Sequence, residues 1–228
     1  MIAFDTETTG LNPHLGAEIF ALSTCNPLGK CQVERLDTPS RQKGEDLMKK
    51  VWRESGSIIM HNAKFDTAMS EKFFDHSLEG QVTIHDTMIM SRILRNDQPN
   101  HGLKELCWSL AGIPRDDQFA VKQARKGGVN FNLVDEKIME RYAALDAWRT
   151  MLLYQFFWPK IKCNPQYRDI YNNEMDMVWS TIDIERRGVM LNKEATMLLI
   201  SQLHVKTVDL LDEIASHLDG WRMDSARS

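Results

Sequence analysis

A chain of 228 residues with 43% hydrophobic content has room for one substantial packed domain and a smaller appendage. Its 28 basic and 32 acidic residues leave a net charge of −4, so charge alone gives no nucleic-acid signature, although an acidic metal site would lower the total without abolishing a local basic groove. No apolar run approaches a membrane span, no signal-peptide pattern opens the chain, and Cys25, Cys31, Cys107 and Cys163 lack zinc-ligand spacing; a cytoplasmic protein with reduced thiols, in a bacterial or phage-infected cell, is expected.

The first predicted element is a buried strand, Ile2-Ala3-Phe4-Asp5-Thr6-Glu7, ending in a turn at Gly10. Residues two apart on a strand share a face, so Asp5 and Glu7 point into one pocket. Close carboxylates repel unless a cation or proton lies between them, and hard divalent cations such as magnesium favour such oxygen ligands. Strands over 18–24 and 30–36, joined by Asn26-Pro27-Leu28-Gly29, would complete an antiparallel meander. A helix over 42–53 places Leu47, Met48, Val51 and Trp52 on one face. A short strand over 57–60 leads through His61-Asn62-Ala63-Lys64-Phe65-Asp66 into a helix from about 65 to 74, and a strand over 82–85 precedes a helix capped by Asp86. This order predicts an α/β fold, a mixed sheet flanked by helices.

Past Pro99 the chain reads as helical, with Leu103, Leu106 and Leu110 on one stripe that stops at Gly112. The segment 115–132 reads as an exposed loop around a short helix. Its basic residues Lys122, Arg125 and Lys126 are either a solvated face or a phosphate-contacting loop. A long helix from about 134 to 157 stacks Tyr142 and Asp146, four apart, on one face. Pro159 and Pro165 mark a boundary between a domain over 1–160 and a helical segment over 165–228. That segment contains helices over about 167–187 and 193–218, closed by Gly188 and Gly220, with Asn192 capping the second.

Taken in order, Asp5-x-Glu7, Asn62-x-x-Phe65-Asp66 and Tyr142-x-x-x-Asp146 resemble the 3′–5′ proofreading exonuclease domain of family A DNA polymerases, the four-acid, tyrosine-type nuclease group, over residues 1 to about 157. The Asp86-Thr87 helix start and His101-Gly102-Leu103-Lys104-Glu105-Leu106 are also similar to that family. The resemblance implies a ribonuclease H-like sheet with a C-terminal helical extension. Ile184-Glu185-Arg186-Arg187-Gly188-Val189 looks like the first helices of the polymerase part, and the stretch from Leu218 to Ser225 like its next segment. Nothing resembles the palm or fingers, so a polymerase domain on the same or another chain is the expected partner.

The activity implied is that of an exodeoxyribonuclease, a phosphodiester hydrolase using two divalent metal ions, Mg2+ or Mn2+, to release nucleoside monophosphates from single-stranded or frayed DNA 3′ ends. By the same resemblance Asp5 would bridge the two metals, Glu7 and Asp146 would complete one site, Asp66 would hold the other, and Tyr142 would orient the attacking water. Thr8, Leu11, Asn62, Phe65, Lys122 and Arg125 form the expected substrate-binding set. His61 has the spacing used by a related histidine-type group but precedes the third acid, and is expected to be a neighbour of the site, not its base. Two alternatives stay open: an RNA-trimming exoribonuclease of the same fold, and a non-catalytic domain that docks a polymerase.

Overall fold

The computed structural model describes residues 1–39, 41–126 and 128–217. At its centre β1 (Ile2–Thr8) is buried on both faces, because Ala3 and Phe4, neighbours that point opposite ways, are both fully covered. It pairs antiparallel with β2 (Ile19–Cys25), which pairs antiparallel with β3 (Cys31–Arg35), giving the expected meander. On its other side β4 (Ser57–Met60) and β5 (Thr83–Asp86) run parallel to it, and the sheet order is β3-β2-β1-β4-β5. The register of β1 on β2 shifts between Glu7 and Thr8, immediately after the second acid. Such irregularities bend a strand end and re-aim the residues beyond the bend.

The parallel pairs require crossovers, and helices supply them. α1 (Arg41–Glu54) buries Leu47, Met48, Val51 and Trp52 as its spacing predicts, and Trp52 meets Phe4 edge-on at 6.3 Å. Its Gly44 permits close approach to β3: a Cβ there would lie 2.7 Å from the Arg35 carbonyl oxygen. α2 (Ala63–Phe74) connects β4 to β5. Asp86 caps α3 (Thr87–Leu94), accepting from the Met88 and Ile89 amides, and also accepts from the Asn62 and Ala63 amides at 3.1 and 2.7 Å. One carboxylate therefore ties together the starts of two helices.

After α4 (Leu103–Ala111) and α5 (Asp116–Ala124), α6 (Glu136–Cys163) packs along β1 and β2. It continues through Pro159, beyond the end expected near 157. Proline removes the amide that would bond the Gln155 carbonyl, but both residues are exposed, so that loss falls where water compensates. Phe157 and Ile161, both buried, hold the last turns on the core. The helix breaks at Asn164, whose side chain caps α7 (Pro165–Arg187) by accepting from the Gln166 and Tyr167 amides.

α7 buries Tyr171, Met175, Val178 and Ile182, and the Tyr171 hydroxyl bonds the Asp86 amide at 3.0 Å and lies 3.2 Å from His85 Nδ1. The first compact unit accordingly runs from Met1 to Arg186, past the 160/165 boundary suggested by the prolines, which is a joint between two helices. The second unit begins at Arg187 and holds α8 (Lys193–His217), capped as expected by Asn192, which accepts from the Ala195 amide at 3.0 Å. The expected helix end at Gly220 and the polymerase-like stretch from Leu218 to Ser225 lie outside the described residues. Among the described residues no helix is long and apolar enough to cross a membrane.

Candidate active site

Asp5 and Glu7 lie on one face of β1, and α6 brings Asp146 onto it, so that ligand oxygens of the three carboxylates all lie within 4.8 Å of one another. Glu7 and Asp146 are buried and Asp5 is half-buried. Asp66, in the first turn of α2, stands outside this trio, and its Oδ1 accepts from both the amide and the hydroxyl of Thr6, at 2.9 and 2.6 Å. Thr6 is thus a supporting residue that sequence reasoning passed over, although it sits between the two acids of the first motif.

The electrostatics reflect four acids placed in a poorly hydrated space. Burial, then repulsion from Asp66, Glu7 and Asp146, raises the Asp5 carboxyl well above the usual range. Burial and then Asp146 push Glu7 up to about 8. Burial pushes Asp66 up to about 7, against the lowering effect of its Thr6 hydrogen bonds. Burial also raises Asp146. Hard oxygen donors that resist carrying charge together are relieved by a divalent cation among them, and the donor set fits magnesium or manganese.

Two cations already meet Asp146: Lys104 lies in the family-like stretch His101–Leu106 but was given no role there, and Arg149 was not singled out in the sequence. Lys104 places Nζ 2.5 Å from Asp146 Oδ2 and 3.8 Å over the Tyr142 ring. Arg149, one helical turn after Asp146, reaches its Oδ1 at 3.1 Å and grips Asp117 through both oxygens at 2.7 and 2.8 Å. The three-residue spacing from Asp146 to Arg149 was a usable signal. Asp117, inside a mixed-charge segment, offered none.

Tyr142 packs edge-on against Phe131 at 5.9 Å. Burial, together with the neighbouring carboxylates, makes its hydroxyl proton harder to remove than that of an ordinary phenol. His61 holds the Thr87 hydroxyl through Nδ1 at 2.8 Å, and burial lowers its pKa to about 4, which suits a structural neighbour of the site.

The expected substrate-binding residues divide into groups. Leu11 and Phe65 line one open cavity of about 390 Å3 together with Asn12, Lys64 and Ala68. Thr8, three residues before Leu11, donates its hydroxyl to the Gly10 carbonyl and so braces the turn that presents Leu11. Asn62 is exposed in a left-handed conformation (φ 70°, ψ 56°), which asparagine tolerates better than most residues. Lys122 and Arg125 are exposed at the end of α5, and the Arg125 guanidinium lies 5.1 Å over Phe131, the ring that supports Tyr142.

Residues 1–162 match the family described as 3′–5′ exonuclease, the exonuclease domain of family A DNA polymerases. The chain belongs to this exonuclease family. Curated relatives of the exonuclease include the DNA polymerase of Escherichia phage T5, 29% identical over 138 residues, covering 55% of this chain and 16% of the relative. DNA polymerase DpoZ of Salmonella phage PMBT28 is 25% identical over 234 residues, covering 98% of this chain and 36% of the relative. DNA polymerase I of Treponema pallidum (strain Nichols) is 25% identical, covering 93% of this chain and 25% of the relative. The chain therefore spans between about a sixth and a third of the length of these relatives. Among solved structures, Brucella melitensis NrnC bound to pGG superposes with a TM-score of 0.62 at 21% identity, covering 82% of this chain and 85% of NrnC. The POL domain of Pol1 from M. smegmatis, in complex with DNA primer-template and dNTP, superposes with a TM-score of 0.59 at 15% identity, covering 95% and 32%. These likenesses establish the ribonuclease H-like α/β fold of the exonuclease domain. Divalent metals are typical of the family, and the trio of acids is where its residues fit them.

Proposed function

We propose that this exonuclease domain hydrolyses the terminal phosphodiester at single-stranded or frayed DNA 3′ ends, releasing nucleoside monophosphates, and serves as the proofreading part of a family A DNA polymerase. The observation that carries the reading is the convergence of Asp5, Glu7 and Asp146 within 4.8 Å, with Asp66 and Tyr142 beside them. Asp5, Glu7 and Asp146 would hold one divalent ion, and Asp5 with Asp66 the second. Bound magnesium or manganese would supply a hydroxide nucleophile at neutral pH and offset charge on the phosphate and leaving oxygen.

The chain's own side chains do the rest. Tyr142 keeps its proton and donates it as a hydrogen bond that orients the attacking water. Thr6 holds the Asp66 rotamer through two bonds. Leu11 and Phe65 offer apolar surface to the terminal nucleotide beside Thr8 and Asn62, while Lys122 and Arg125 attract the phosphate backbone.

The test is digestion of a 5′-labelled single-stranded DNA oligonucleotide and its RNA counterpart, with magnesium, manganese or chelator, by wild type and Asp146→Ala. Stepwise shortening of DNA from the 3′ end, abolished by chelator and by the substitution, is the expected result. Clear preference for RNA would replace DNA as the substrate. No cleavage with either metal would leave a domain that docks a polymerase.

A further inference from the structure

Both oxygens of Asp146 are engaged by side-chain cations, and the two cations differ in how firmly they are held. Arg149, on Oδ1, has a side chain 1% exposed and is locked by its two bonds to Asp117 and by a third to the Pro114 carbonyl at 2.8 Å. Lys104, on Oδ2, extends from the first turn of α4 and lines an open cavity with Asn100, Gly102 and Arg115. Its ammonium has a flexible four-carbon stem and a neighbouring space to move into. It also reaches to within 3.9 Å of Asp117.

We infer that Lys104 is a resident counter-cation, a positioning residue that holds Asp146 while the acidic site lacks metal and competes with the metal for that carboxylate. The inference rests on the proposed metal-binding role of the acids. Arg149 keeps Oδ1 engaged, so the oxygen left for a metal on Asp146 is Oδ2, where it meets the like-charged Lys104 ammonium and has to displace it. Lys104 thereby restrains the repulsion among the acids of the metal-free protein and sets a threshold that metal must overcome. Arg149, with no room to withdraw, stays in place and keeps Asp146 oriented through the exchange.

The experiment is calorimetric titration of Mn2+ into the full chain without nucleic acid, comparing wild type with Lys104→Met, Lys104→Gln and Lys104→Arg. Removing the charge is expected to tighten Mn2+ binding by about tenfold, by removing a unit charge next to a metal ligand. Lys104→Met and Lys104→Gln should agree, Lys104→Arg should restore wild-type affinity, and the Mn2+-induced rise in melting temperature should be larger in the two neutral variants. Unchanged or weaker Mn2+ binding in folded Lys104→Met and Lys104→Gln, with wild-type binding measurable, would overturn the inference and leave the metal site standing. A KM effect on the oligonucleotide with unaltered Mn2+ affinity would likewise overturn it, assigning Lys104 to the substrate. Absence of Mn2+ binding in wild type would remove the metal-site reading and this inference together.

Discussion

Tyr142 differs from the four acids in offering a hydrogen bond without a charge. Since its surroundings oppose ionisation, it remains a donor across the working pH range. Tyr142→Phe leaves the ring between Phe131 and Lys104 but removes the hydroxyl. It is expected to lower kcat by about a hundredfold with Mn2+ affinity unchanged, as measured by single-turnover digestion and calorimetry. Burial and mutual repulsion raise the carboxyls of all four acids, by contrast. Glu7 is raised from 4.5 to about 8 and Asp66 from 3.8 to about 7, so the metal-free fold favours their protonated forms. That favourable contribution is complete below the ordinary carboxylate range and is lost as pH rises through 7 and 8. Metal binding requires the charged forms, so it expels protons and strengthens with pH. Thermal melts should show a larger Mn2+-induced stabilisation at about pH 8 than at about pH 6, with the metal-free melting temperature moving the other way. A metal-free protein that gained stability over this range would contradict the assignment.

Among the elements, α6 does most to assemble the site, since Tyr142, Asp146 and Arg149 all project from it. Its Arg149 binds Asp117 of α5, and both side chains are 1% exposed. Arg149→Met would leave Asp117 buried without its main partner and is expected to cost about 3–5 kcal/mol in urea unfolding, part of it recovered by adding Asp117→Asn. The Gly44 position in α1 illustrates local preference yielding to packing. Alanine is the better helix former by about 1 kcal/mol, yet its Cβ would meet the Arg35 carbonyl, so Gly44→Ala should destabilise the protein. The buried face of α1 was legible from residue spacing, whereas the need for glycine on it arises only from the proximity of β3. Likewise Pro159 was a fair sign of a helix end, and the core contacts of Phe157 and Ile161 outweighed it.

At the scale of the whole molecule, the unit carrying the site includes α7, whose Tyr171, Met175, Val178 and Ile182 are part of the main core. A chain ending at Asn164 should lose the cooperative melting transition that a chain ending at Arg187 retains; equal melting of the two would show that α7 is dispensable. Much of this organisation was readable in the sequence. The pairing of Asp5 with Glu7, the stacking of Tyr142 with Asp146 and the capping by Asp86 and Asn192 are consequences of strand and helix periodicity, which neighbouring residues determine by themselves. Family resemblance then ordered those local features into one site. Tertiary structure alone decided that Asp66 is held by Thr6, that α7 completes the core, and that Lys104, Asp117 and Arg149 surround Asp146. A charged side chain looks the same in a sequence whether solvated or buried; only the packing of α4 and α5 against α6 removes the water that would otherwise screen these charges from one another.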